Sequence, residues 1–180
     1  MMSNISSTDL LLLSLTNYYS KSQNLHILKD IVESKSKLSL RLIDWYVTNY
    51  CKQQNIVYIL HQKVNNEYFN VYMNYRSQLK AFKKILFDPF RRRERILFHY
   101  ETNKCFSTTI GQLNFFRWAI ENEIIINLEK HVSEVEKDML SRQKTLKNDK
   151  KENIVRVSSC CKNSIKNMTT FNGNALLSFK

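Results

Sequence analysis

The 180-residue chain carries 28 Lys and Arg against 16 Asp and Glu, a formal net charge of +12, which points to a polyanionic partner. Its 43% hydrophobic content, with 10 Phe, 9 Tyr and 2 Trp, suffices to bury a core and excludes a wholly disordered chain. Two glycines and one proline in the whole sequence exclude a P-loop or a dinucleotide fingerprint, whose backbones need several glycines where they approach phosphate.

From the N-terminus, Thr8 or Asp9 is placed to cap a helix through Leu10 to Tyr19. Leu25, Ile27, Leu28, Ile31 and Val32 predict a second helix ending near Glu33. Ser36 to about Lys52 predicts a core helix, with Leu38, Leu42, Ile43, Trp45, Tyr46 and Tyr50 on a broad apolar face. Ile56 to Leu60 is short and rich in β-branched and aromatic residues, which predicts a strand. A turn at Asn65-Asn66 leads to a second strand over Tyr68 to Tyr72. The period then changes: Tyr75, Leu79, Phe82 and Leu86 form a helical stripe, and Asp88-Pro89 should end that helix. Arg95 to Glu101 and Cys105 to Thr108 predict a second pair of strands. Thr109-Ile-Gly-Gln112 fits a capping box for a helix buried through Leu113, Phe116, Ile120 and Ile124. That helix continues, or bends near Asn122, into a stretch ending near Lys147. Its heptad positions Ile125, Leu128, Val132, Val135, Met139 and Leu146, with Arg142 spoiling one, fall short of a sustained coiled coil, so packing on its own domain is expected over a dimer seam. The expected buried anchors are Trp45, Phe82, Phe116 and Trp118.

The sum is an α+β fold: a small, mostly antiparallel sheet of about four strands, helices on one face, and a long C-terminal helix. Residues 1–35 form an N-terminal helical extension, 36–147 the core domain, and 148–180 a flexible basic tail poor in bulky residues.

The charge is localised. Residues 76–95 hold eight basic residues against Asp88 and Glu94, and residues 141–180 hold nine against Asp149 and Glu152. The remainder has 11 basic and 12 acidic residues, so two segments account for the whole excess. Arg76, Lys80 and Lys83 recur at helical spacing with Lys84 nearby, and Arg91, Arg92, Arg93 and Arg95 follow on a loop. Guanidinium forks match phosphate oxygens, and cations one turn apart can follow a nucleic-acid backbone. These eight residues are the candidate nucleic-acid-binding set, with DNA and RNA both open. Tyr68, Tyr72 and Phe98 could stack bases, although strand aromatics more often face a core.

Nothing else in the sequence carries chemistry. The four histidines do not pair with one another or with cysteine at metal-binding spacing, and the four cysteines form no C-x-x-C pair. Free thiols, no metal and no cofactor are expected, in a reducing, intracellular setting. Asp44 beside Trp45 invites a catalytic reading, but a salt bridge or hydrogen bond at the edge of the core explains it more simply. No Ser-His-Asp or Cys-His arrangement is discernible, so the expected activity is non-enzymatic. The N-terminus lacks a basic leader, and the apolar run Leu10–Leu13 is too short to span a bilayer, so no membrane partner is expected.

Four blocks together resemble a family of small proteins encoded by large and giant nucleocytoplasmic DNA viruses. They are Leu42-Ile-Asp-Trp-Tyr-Val-Thr-Asn-Tyr50, the stretch from Phe69 to Lys80, Phe87-Asp-Pro-Phe-Arg-Arg-Arg-Glu-Arg-Ile96, and the stretch from Thr108 to Asn122. The resemblance covers about residues 36–140 and carries no catalytic residue with it. It implies a place in the host cytoplasm, a viral factory or the virion, with other viral proteins as possible partners. The leading function is therefore nucleic-acid binding in viral transcription, replication or genome packaging. The alternative is a structural or interaction component whose basic surface meets acidic protein. Oligomeric state is left open by the sequence.

The composition change near Asn148 yields a prediction. Limited trypsin digestion should remove residues from about 148 onward first and leave a resistant core; early cuts inside 36–140 would contradict that boundary.

Overall fold

The computed structural model describes residues 6–33, 35–61, 67–91, 94–101 and 104–166, the last stretch by its backbone alone beyond residue 145. The chain divides into two compact units, Met1–Met139 and Leu140–Lys180.

Helix α1 spans Ser7–Tyr19. Its cap is Ser6, whose hydroxyl accepts from the Asp9 amide while the Asp9 carboxylate accepts from the Ser6 amide. Asp9 thus serves as the third helical residue of a capping box and not as the cap itself. Helix α2 covers Ser22–Val32. Leu15, Tyr19, Leu28 and Ile31 of these two helices belong to the same core as the rest of the first unit.

The next helix starts at Leu40, capped by Ser39, and runs as α3 (Leu40–Trp45), a π-helical turn (Tyr46–Tyr50) and α4 (Cys51–Gln54). At the turn the Thr48 hydroxyl donates to the Asp44 carbonyl at 2.7 Å, a local competitor for the backbone ladder. Asn55 ends the helix in the left-handed region (φ 47°), which asparagine tolerates better than most residues.

Strands β1 (Val57–Ile59) and β2 (Tyr68–Asn70) pair antiparallel, as do β3 (Ile96–Glu101) and β4 (Lys104–Thr108). The α+β class and the antiparallel pairing stand as expected, but the four strands form two separate two-stranded ladders instead of one sheet. Different helices hold each hairpin. Phe98 of β3 meets the Tyr19 ring edge-on at 5.9 Å, and Lys29 of α2 lies over the Tyr100 ring at 4.8 Å. Tyr58 of β1 instead donates its hydroxyl to the Asn122 carbonyl at 2.6 Å.

Strand β2 stops two residues short of Tyr72. The Asn70 side chain accepts from the Met73 amide at 2.9 Å and caps helix α5 (Val71–Phe82), so a cap overrides the β-propensity of Val71 and Tyr72. Helix α5 also ends early, before a 3-10 turn at Lys84–Leu86. In an uninterrupted helix Phe82 and Phe87 would stand about 140° apart around the axis. Here the chain leaves the helix at Lys83, and the two rings stack at 6.1 Å with an 11° interplanar angle.

Helix α6 (Ile110–Glu121) carries Leu113, Phe115, Phe116, Trp118 and Ala119 into the core and packs against α1, α2 and the 84–86 turn. It is capped by Thr109, whose hydroxyl accepts from the Gln112 amide at 3.1 Å. The expected reciprocal bond is replaced: the Gln112 side chain accepts from Thr108 instead. The anticipated bend is a break at Glu123, which takes a positive φ of 55°. Helix α7 then runs Ile124–Lys166. Ile125, Leu128 and Val135 are buried, with Val132 and Met139 packed on the same core, so the heptad face serves its own unit as far as Met139. Residues 148–166, read as tail from composition, continue α7, and 167–180 lie outside the described residues.

Of the expected anchors, Phe116 and Trp118 are buried, whereas Trp45 and Phe82 are only half-buried. Trp45 sits at the rim because its indole nitrogen donates to the Asp138 carboxylate at 2.9 Å. The central ring of this region is Phe87, fully buried among Tyr75, Phe82, Phe115 and Trp118. Phe87→Ala should cost about 3–5 kcal/mol and Phe82→Ala distinctly less, measured by denaturant unfolding. Equal losses would mean that Phe87 is not the packing centre.

Candidate nucleic-acid interface

Helix α5 turns Tyr75 and Leu79 inward and leaves Arg76 and Lys80, one turn apart, on its exposed side. Lys83 does not extend this stripe. It lies beyond the helix at φ 58°, ψ 163°, a region that costs a side-chain-bearing residue of order 1–3 kcal/mol. Lys84 follows on the 3-10 turn. The expected continuous row is therefore two helical cations followed by two on a bend.

The loop beyond is anchored tightly. Phe87 plugs the aromatic cluster, and the buried Asn114 side chain donates to the Leu86 carbonyl at 2.9 Å. Gly111 faces the same segment so closely that an added Cβ would lie 3.1 Å from the Ile85 carbonyl oxygen and 3.2 Å from that of Asp88. The Asp88 carboxylate accepts from the Phe90 amide at 2.9 Å, and the Arg91 amide donates to the Asp88 carbonyl at 3.3 Å. Arg91 is thereby fixed at the mouth of the loop. Arg92 and Arg93 lie outside the described residues. Arg95 precedes β3, whose register (Ile96 opposite Thr108) brings it beside Thr109.

Arg91 and Arg95 consequently line one cleft of about 190 Å³, with Leu40, Pro89, Phe90, Ser107, Thr108, Thr109 and Gln112. The contributions of Ser107 to Gln112 were not read from the sequence as site residues, although the capping-box motif marked that position. Arg76, Lys80, Lys83, Lys84, Arg91 and Arg95 are all exposed, and among the described residues none forms an ion pair. The recorded pairs lie elsewhere, such as Arg117–Glu121 at 2.9 Å and Lys35–Glu33 at 2.6 Å.

The aromatic candidates divide. Phe98 is buried, Tyr72 sits on α5 half-buried with Lys52 5.6 Å from its ring, and Tyr68 alone of the three is 80% exposed. Three of the four histidines lie beside carboxylates, in His26–Asp30, His61–Glu123 and His131–Glu134. Among the described residues no cluster of three potential metal ligands occurs. Cys51 is a free buried thiol pushed up to about 12 by burial, and Cys105 is free and exposed. No described helix is long and apolar enough to cross a membrane.

Two comparisons place these features in a family. A family model matches residues 4–177. The chain belongs to DUF7197, a family of unknown function. It is also 39% identical over 130 residues to Uncharacterized protein L507 of Acanthamoeba polyphaga mimivirus, covering 68% of this chain and 49% of that relative. The chain therefore spans about half the length of the relative. No solved structure matches. The resemblance to a giant-virus family is borne out, and DUF7197 extends it over both N-terminal helices and most of the C-terminal segment.

Asp44 departs from expectation: it has no salt bridge or side-chain hydrogen bond among the described residues. Burial, and secondarily the Asp88 carboxylate, raises its carboxyl to about 6. Its folded-state value lies above its unfolded one, so ionisation opposes folding, and stability falls as pH rises through about 4 to 6. Asp44→Asn should stabilise the protein at pH 7 by about 1–3 kcal/mol after allowance for solvent screening, and change little at pH 4. Equal effects at both pH values in chemical denaturation would remove the buried-charge account.

Proposed function

We propose that the protein is a non-enzymatic nucleic-acid-binding component of a giant virus, acting in transcription, replication or genome packaging. Host cytoplasm, viral factory and virion are its proposed settings. The observation that carries this reading is a set of six exposed cations without carboxylate partners among the described residues, two of which line one cleft. Cations already neutralised by neighbours would gain little from a phosphate, whereas these can displace the counterions condensed on a nucleic-acid backbone. A second reading, a protein-interaction component, is favoured by Leu10 and Leu13, more than half exposed and one turn apart on α1.

The two readings differ in salt dependence. Replacing Arg91, Arg92 and Arg93 together with Gln should weaken binding to every duplex sequence tested. The slope of log affinity against log salt should fall by about two to three units. Wild-type protein that binds neither DNA nor RNA at low salt, or a triple variant with an unchanged slope, would transfer support to the interaction reading.

A further inference from the structure

The cleft beside the basic loop combines groups from two parts of the chain. Arg91 and Arg95 come from the loop, and Ser107, Thr108, Thr109 and Gln112 come from the end of β4 and the start of α6. Thr108 Oγ1 donates to Gln112 Oε1 at 2.8 Å, which holds the Gln112 amide by its oxygen and leaves both Nε2 protons to donate elsewhere. Thr109 Oγ1 accepts from the Gln112 amide and keeps its own proton. Ser107 is exposed. No Asp or Glu is among the residues lining the cleft. Positive charge and hydroxyl and amide donors thus converge without a carboxylate to neutralise them.

The recess, about 190 Å³, is roomy enough to take a phosphate group. Its buried members are Pro89, Thr108 and Thr109.

We propose that this cleft seats one dianionic phosphate monoester, the terminal phosphate of a nucleic-acid strand. This rests on the nucleic-acid reading above and narrows it to strand ends. A terminal monoester carries two negative charges above its second pKa of about 6, and an internal diester carries one. Two guanidiniums without carboxylate partners match the former. Charge-assisted hydrogen bonds to the extra oxygen separate the two ligands further.

The test uses fluorescence anisotropy on the full chain with one labelled short single strand in three forms: 5′-phosphorylated, 3′-phosphorylated and unphosphorylated. At pH 7.5 and fixed salt, at least one phosphorylated form should bind about tenfold tighter than the unphosphorylated form. That ratio should shrink at pH 5, where the monoester takes up one proton and becomes a monoanion. Arg95→Gln, at an exposed position that folding does not need, should bring the ratio toward one, and so should Gln112→Leu. The ratio is the readout, because a general loss of basic charge lowers all three affinities together.

Equal affinities for the three forms would overturn the terminal seat and leave backbone binding standing. If no form binds, the nucleic-acid reading itself fails, and inorganic phosphate then decides the seat. A rise in melting temperature with phosphate, absent with chloride at equal ionic strength and absent in the Arg91→Gln, Arg95→Gln double variant, would retain a phosphate seat whose source is a free small molecule. No rise would remove the proposal.

Discussion

The insertion of Phe87 into the aromatic cluster is the contact on which the arrangement of the basic surface depends. Its ring meets Tyr75 and Phe82 from α5 and Phe115 and Trp118 from α6. One fully buried side chain therefore joins two helices to the loop that carries the arginines. Burying a phenylalanine is worth roughly 1.5–3 kcal/mol from transfer alone, comparable with the strain at Lys83 that lets the chain turn inward. Gly111 and Asn114 complete the clamp from the α6 side, one by close approach and one by a hydrogen bond. The segment that leads into the loop is thereby held at three points, by Phe87, Asn114 and Gly111.

Around that centre the remaining aromatics solve a different problem. Several tyrosines and tryptophans bring a polar tip into or near the core and find a partner for it. Tyr19 donates to the Leu113 carbonyl at 2.7 Å, Tyr46 to the Asn127 side chain at 2.6 Å, and Trp118 to the Asn74 side chain at 2.7 Å. These bonds tie α1, the π-helical turn and α5 to α6 and α7 with direction as well as area. With the interior satisfied in this way, the basic surface does not need ion pairs for stability. Exposed pairs contribute little in water, and repulsion among exposed cations is screened beyond about 8–10 Å at ordinary salt.

Membership of DUF7197 and likeness to a mimivirus protein fix kinship but no activity. Function has to be argued from the site, because a fold does not determine chemistry. The basic loop, the strand end beside it and the start of α6 all fall within the blocks that resemble the viral family.

Periodicity and capping chemistry in the sequence by themselves determined most element types: the α+β class, four antiparallel strands, the core helix after Ser39, the Thr109 cap and the location of excess charge. These are local properties, readable because apolar spacing and side-chain caps act over a few residues. Tertiary structure alone decided where α5 ends, since only the stacking of Phe82 on Phe87 makes a strained Lys83 preferable to another helical turn. It also decided that the strands divide into two ladders, because each hairpin finds its own helical support, and that Asp44 has no salt bridge or side-chain hydrogen bond among the described residues. Above all it decided that Arg91 and Arg95 meet Thr108, Thr109 and Gln112. That meeting depends on the β3–β4 register and on the burial of Phe87, long-range contacts that no local pattern of residues encodes.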